Sequence, residues 1–271
     1  MILQKSHGLG NDYLVLHEGG PLTPALVRAL CARHEGFGAD GVLWPVGSAV
    51  ADYGLRIFNP DGGEAEKSGN GLRIFARYLV DHRGAPPRFT VETPGGVVRC
   101  VVEDAAVSVE MGRASFEPAA IPLLRPGAVE QAMELLGHSL QFTALSVGNP
   151  HCVLFCDPES LPWRALGAAL ERHPDFPNRV NVQFAQVLGP DRLRLRIWER
   201  GAGETSASGS SACAVAAAAV KTGRCAPGLL RLEMEGGELS VRVDADFSLT
   251  LRGPVEVVGE LRPSPSWLAS R

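Results

Sequence analysis

Two short stretches hold residues whose types and spacing could do chemistry: Ser68-Gly69-Asn70-Gly71 and Ser208-Gly209-Ser210-Ser211. Each leads into a run with helical character, so each reads as a helix start. A helix start leaves backbone N–H groups unpaired and carries partial positive charge. Glycine there lets a ligand approach the backbone closely. Both stretches therefore have the form of an anion cradle that would accept a carboxylate. Serine before a helix is also a favoured cap, and a single such site would be read as that. Two in matching positions of one chain point to binding.

Neutral polar residues recur in the surrounding pattern. Asn11 lies in His7-Gly8-Leu9-Gly10-Asn11-Asp12, Asn59 precedes Pro60-Asp61-Gly62, Asn149 precedes Pro150-His151, and Asn181 follows Arg179-Val180. Asparagine before proline often just forms a turn on its own backbone. That reading is weaker for Asn181, which has valine on both sides. An amide offers donor and acceptor together, which suits a zwitterion. Glu199-Arg200 adds one charge of each sign, or else forms a buried ion pair that orders a loop.

The elements that must position these residues follow from punctuation. The 31 glycines and 20 prolines of the 271 residues separate short β-branched segments, from Gly41–Val46 through Val180–Val187 to Ser248–Leu251. This spacing predicts many short antiparallel strands joined by tight turns. Helices are expected at Thr23–His34, Asn70–Asp81, Pro126–Leu136, Trp163–His173 and Ser211–Gly223. The last is alanine-rich on every face, which suits a deeply buried helix, and Gly223 would cap it. The fold class is thus α/β (α+β). The halves echo each other: a strand ending in Phe58 or Trp198, a glycine-containing acidic loop, then a serine-led helix. Two pseudo-symmetric domains facing each other across a cleft would explain this, with residues 1–117 and 118–258 as the halves. A tail, 259–271, would pack back on the N-terminal half.

Composition excludes several classes. The net charge of −4 gives no reason to expect nucleic acid or an anionic membrane as partner. No apolar run approaches the roughly 18–20 residues that span a bilayer. The first residues lack a signal-peptide pattern, so a cytoplasmic location is expected. The six cysteines form no CxxC pair, and Cys152 and Cys156 read as buried thiols, not metal ligands. No metal site is expected.

The motifs together resemble one family closely, the diaminopimelate epimerases, which are cofactor-independent amino-acid epimerases. The resemblance rests on His7 to Tyr13, Gly36-Phe37-Gly38-Ala39-Asp40-Gly41, Phe58 to Gly62, Gly69-Asn70-Gly71-Leu72-Arg73, Gly148 to Cys152, Arg179-Val180-Asn181, Glu199 to Thr205 and Gly209 to Cys213. It implies two domains, each a mostly antiparallel sheet rolled around a central helix. It implies that Asn11, Asn59, Asn149, Asn181, Glu199 and Arg200 hold the distal part of a small zwitterionic amino acid. Gly69, Asn70, Gly209 and Ser210 would cradle the reacting α-carboxylate. The reaction implied is interconversion of LL- and meso-diaminopimelate without pyridoxal phosphate or any other cofactor, in a chain that can pair as a homodimer.

One departure matters. The family opens each central helix with a cysteine that moves a proton. Here those catalytic positions are Ser68 and Ser208. A thiol starts near 8.5 and is lowered by a helix N-terminus. A serine hydroxyl is weaker as an acid by several units, each costing roughly 1.4 kcal/mol. A helix dipole returns only about 0.3–2 kcal/mol. Serine would need a neighbouring base, which His151, Glu204 or Glu66 could supply. Four readings stay open at this level: an epimerase using serine with an accessory base, an isomerase or dehydratase on another amino acid, a silent amino-acid binder, and a variant whose two cysteines were replaced.

Overall fold

The computed structural model describes residues 1–271. In chain order the elements are β1 (Ile2–Gly8), β2 (Asn11–Glu18), α1 (Pro24–Cys31), β3 (Gly41–Val46), β4 (Tyr53–Phe58), β5 (Glu64–Ala65), α2 (Gly69–Arg83), β6 (Arg88–Thr93), β7 (Gly96–Val102) and β8 (Ala106–Arg113). There follow β9 (Gln131–Leu135), β10 (His138–Ser146), β11 (Pro150–Phe155), α3 (Trp163–Glu171), β12 (Asn181–Gly189), β13 (Arg192–Glu199), β14 (Gly203–Thr205) and α4 (Gly209–Lys221). The chain ends with β15 (Gly228–Met234), β16 (Gly237–Val243), β17 (Ser248–Pro254), β18 (Glu256–Leu261) and α5 (Pro265–Ala269). The chain divides into two compact units, Met1–Glu110 with Gly253–Arg271, and Met111–Arg252.

Each unit is a mostly antiparallel sheet rolled around one central helix, and the two share a pairing plan. In the first unit β2 runs parallel to β3, with Tyr13 opposite Gly41. β3 pairs antiparallel with β4, Val42 opposite Phe58, and β4 with the short β5. In the second, β11 runs parallel to β12, with His151 opposite Asn181. β12 pairs antiparallel with β13, Val182 opposite Trp198, and β13 with β14. By register, Tyr13 and His151 are equivalent positions, as are Gly41 and Asn181, and Ser68 and Ser208. A crossover through the helix then brings β6 parallel to β4 and β15 parallel to β13. These parallel pairs are the exceptions to the antiparallel pattern. The first unit is completed by β18, which lies antiparallel to β1, Leu3 opposite Leu261.

Local chemistry explains the helices. Thr23 caps α1 by accepting from the Leu26 N–H, with Pro24 in the first turn, a position where a missing N–H costs nothing. α2 ends at Gly84, whose φ of 63° favours glycine. α4 packs against β10, β11, β12, β13, β15 and β16. Ala212 to Ala219 are all fully buried. Side chains this small let strands approach on every side. α4 ends at Thr222, one residue before the expected Gly223, which follows with φ 71°.

The expected helix over Pro126–Leu136 is a correction. Residues 131–135 form β9, paired antiparallel with β10 so that Leu135 lies opposite His138. Leu136 (φ 51°) and Gly137 (φ 78°) make the turn, the left-handed pair that two-residue hairpins favour. Met133 is buried between exposed Ala132 and Glu134, a period of two. The window was too short for that alternation to outweigh its good helix formers. The strands β1, β2 and β18 also lie outside the β-branched segments that the punctuation picked out.

Ala217→Leu is expected to test the close packing of α4. Overpacking a filled site costs about 1–3 kcal/mol. Urea unfolding should show a lower midpoint at an unchanged slope.

Candidate functional site

The first unit carries one candidate site at the start of α2. Ser68 takes an extended backbone (φ −140°, ψ 119°) and its Oγ accepts from the Gly71 N–H at 3.0 Å. Gly69 and Asn70 are buried. Tyr13, at the start of β2, places its hydroxyl 3.1 Å from Ser68 Oγ. Asn70 Nδ2 donates to Asn11 Oδ1 (3.0 Å), and Asn11 Nδ2 donates to Asp40 Oδ2 (2.8 Å). These bonds fix which way both amides face. Asn70 Oδ1 is buried with no hydrogen-bond partner. A buried acceptor left open is costly, so it marks a place where a ligand donor would fit.

A charged cluster holds that arrangement. Arg33 donates to Asp40 Oδ1 (2.7 Å) and Asp12 Oδ1 (3.0 Å), and Lys5 Nζ lies 3.0 Å from Asp12. Burial alone would raise the Asp12 carboxyl, but the hydrogen bonds and charges of Arg33 and Lys5 more than offset it and hold it below the ordinary carboxylate range. Asn59 is placed differently. Its backbone closes a turn with Gly62 and Gly63, and its side chain is exposed.

The second unit carries a matching candidate site at the start of α4, built with neutral groups. Ser208 Oγ accepts from the Ser211 N–H and lies 3.4 Å from Ser210 Oγ. Gly209 is buried and Ser210 half-buried. His151 is fully buried, and burial lowers its imidazole to about 3, so the ring is neutral. Its Nε2–H donates to Asn149 Oδ1 (2.9 Å), and its Nδ1 accepts from Gln183 Nε2 (3.0 Å). Gln183 Nε2 also donates to Ser211 Oγ (3.0 Å). Asn149 is thereby oriented with its Nδ2 donors turned away from the ring.

Asn181 Nδ2 donates to the Pro150 carbonyl (2.9 Å), and its Oδ1 accepts from the Arg200 N–H (3.0 Å). Asn181 therefore fixes where β13 ends and the Glu199-Arg200 loop begins. The same loop is anchored by the buried Glu171 of α3, which accepts from Trp198 Nε1 (3.0 Å) and the Gly201 N–H (2.9 Å). The Arg200 guanidinium donates to the Asn178 carbonyl (3.2 Å). Glu199 is half-buried at the end of β13.

Of the three bases suggested by sequence, two are engaged by other groups and one is exposed. Both His151 nitrogens are taken. Glu204 is bound by Arg164 through two 2.7 Å hydrogen bonds that lower its carboxyl. Glu66 is exposed ahead of α2. Sequence reasoning did not single out Tyr13 as a base, nor Asp40, Arg33, Glu171 or Gln183. Tyr13 and Asp40 lay inside quoted motifs, so their types were visible. Their contacts were not, because each bridges residues far apart in the chain.

A sheet rolled around a central helix, twice over, is a fold that this chain shares with solved epimerase and phenazine-biosynthesis structures. A hydroxyproline epimerase from Agrobacterium vitis matches with a TM-score of 0.70 at 18% identity, covering 96% of this chain and 91% of that one. A phenazine biosynthesis protein of the PhzF family from Bacillus anthracis matches at 0.72 with 15% identity, covering 97% and 99%. The diaminopimelate epimerase family model matches residues 3–117 and 143–258. A diaminopimelate epimerase 2 from Nostoc sp. is 44% identical over 265 residues, covering 94% of this chain and 93% of its own. A diaminopimelate epimerase from Synechococcus elongatus is 41% identical over 262 residues, covering 92% and 93%. The chain belongs to the diaminopimelate epimerase family, a family of isomerases.

The neutral buried His151 has a consequence for stability. A free imidazole takes up a proton near 6.5, while the folded one stays neutral to about 3. The unfolded chain binds more protons in that window, so stability falls as pH drops from about 6.5 toward 3. Urea midpoints between pH 7 and 4 are expected to show this fall, and His151→Gln to flatten it.

Proposed function

We propose that the chain is an amino-acid epimerase that interconverts LL- and meso-diaminopimelate without a cofactor. The observation that carries this is the repetition of one serine-capped, glycine-opened helix start in each unit, with oriented asparagines beside it. The Gly69, Asn70, Gly209 and Ser210 backbone would hold the α-carboxylate. Removing the α-proton puts negative charge into that carboxylate, where preoriented N–H donors stabilise it. Ser68 and Ser208 would take and return the proton. Asn11, Asn59, Asn149, Asn181, Glu199 and Arg200 would hold the distal stereocentre of a zwitterion. A single opened helix start would serve as well for plain binding. The matched pair suits a reaction that needs one proton group for each face of the α-carbon.

A second reading is favoured by the serines themselves. A site with the cradle intact and weak proton-transfer groups would bind the amino acid without turning it over. Proton NMR in D2O with LL-diaminopimelate separates the two. The serine chain is expected to exchange the α-proton slowly, and Ser68→Cys with Ser208→Cys at least about 100-fold faster, since the thiol titrates nearer to working pH. Saturable binding by calorimetry with no exchange in either form would establish the binder. No binding and no exchange in either form would show the assigned substrate to be wrong.

A further inference from the structure

The two helix starts differ at one equivalent position. Tyr13 and His151 occupy the same place in the pairing plan. In the second unit the ring nitrogens are held by Asn149 and Gln183, and Ser208 Oγ meets only Ser210 and the Ser211 N–H. In the first unit an ionisable group reaches the serine, with Tyr13 Oη 3.1 Å from Ser68 Oγ.

The fold makes room for this contact. Tyr13 is 7% exposed. A Cβ at position 41 would lie 2.6 Å from Tyr13 Cε1 and 2.5 Å from the Phe58 carbonyl oxygen. Glycine at 41 therefore seats the ring. A Cβ at position 71 would press on Ser68 Oγ at 3.2 Å, and the Gly71 N–H already occupies one lone pair of that oxygen. Ser68 Oγ keeps one proton and one further lone pair.

We propose that Tyr13 is the proton partner of Ser68, an inference that rests on the epimerase reading above. With Tyr13 as phenolate, Ser68 Oγ forms a bond to the substrate's α-proton while its own hydroxyl proton passes to Tyr13 Oη. The electron pair of the broken C–H bond stays on the α-carbon and spreads into the carboxylate. Reprotonation runs the same transfers backward. A phenol is a stronger acid than an aliphatic alcohol, so its anion is the more accessible of the two bases and grows as pH rises.

The residues paired with Tyr13 on the flanking strands, Ser6 and Gly41, carry no charge. The charged or titratable groups nearest in sequence to this corner are Lys5 and His7 on β1, Asp12 on β2, Arg33 and Asp40 ahead of β3, Lys67 before Ser68 and Arg73 on α2, with His17 and Glu18 farther along β2 and Arg77, Asp81, His82 and Arg83 farther along α2. Lys5, Asp12, Arg33 and Asp40 bond among themselves, and His7 lies 3.6 Å from Glu256. Arg73 donates to the Gly69 carbonyl.

The test is α-proton exchange from LL- and meso-diaminopimelate in the full chain between pH 7 and 10. The serine chain is expected to gain rate as pH rises across that range. Tyr13→Phe should lose about 100-fold at pH 9, the scale of acid–base catalysis, and lose the slope. The same change beside Ser68→Cys should cost markedly less. Difluorotyrosine at position 13, with the ring shape kept, should move the rising limb to lower pH, which a structural role would not do. The proposal is overturned if Tyr13→Phe stays within about threefold of the parent, or if the limb does not move. It is also overturned if the serine chain never exchanges while the double cysteine form does. That last result leaves the epimerase reading standing. Failure of both forms removes that reading and this inference with it.

Discussion

Everything in this protein is arranged around a buried helix start that must keep some of its N–H groups available. Burying unpaired backbone donors is costly, so a helix start usually faces water or is fully capped. Here Ser68 and Ser208 each cover one donor, while glycine and other short side chains keep the remainder approachable. The sheet wraps the rest of each helix closely, and that packing is what holds the start in place. α4 achieves it with alanine, α2 with larger residues such as Leu72, Ile74 and Phe75. The same constraint is met by two different cores.

The supports beside the helices also differ in kind. In the first unit the asparagines are held by an ionic cluster of Arg33, Asp12, Asp40 and Lys5, part of it open to solvent. In the second Asn149 is held by His151, which Gln183 holds in turn, both neutral and fully buried. A solvated ionic cluster tolerates changes of pH and salt by screening. A buried neutral network tolerates neither a charge nor a lost partner. Duplicated architecture therefore does not imply duplicated sensitivity.

Much of this was legible in the sequence. The serine-glycine starts, the alanine helix and most strands announced themselves through local pattern, which depends on neighbours within a few residues. Pro126–Leu136 did not, because its strand period is carried by one buried residue, Met133, and its pairing by a hairpin partner. The supporting groups were hidden for a related reason. Tyr13 meets Ser68 across 55 residues of chain, Gln183 meets His151 across 32, and Asp40 meets Asn11 across 29. Such contacts are made by strand pairing and crossover, not by spacing. Glu171 shows the limit well: on sequence it was an ordinary last-turn residue of α3, yet it anchors the loop after β13.

The pairing of β18 with β1 gives the chain an order of events during synthesis. The second unit is a continuous stretch, Met111–Arg252, and all its strands have emerged before β18 exists. The first unit is begun at the N-terminus but one flank of β1 has no partner until Glu256–Leu261 is made. β1, the first strand of its unit to be made, is thus among the last to be covered. An open strand edge is a template for unwanted pairing, so the nascent chain carries that exposed edge past the making of the whole second unit and closes it only when β18 arrives.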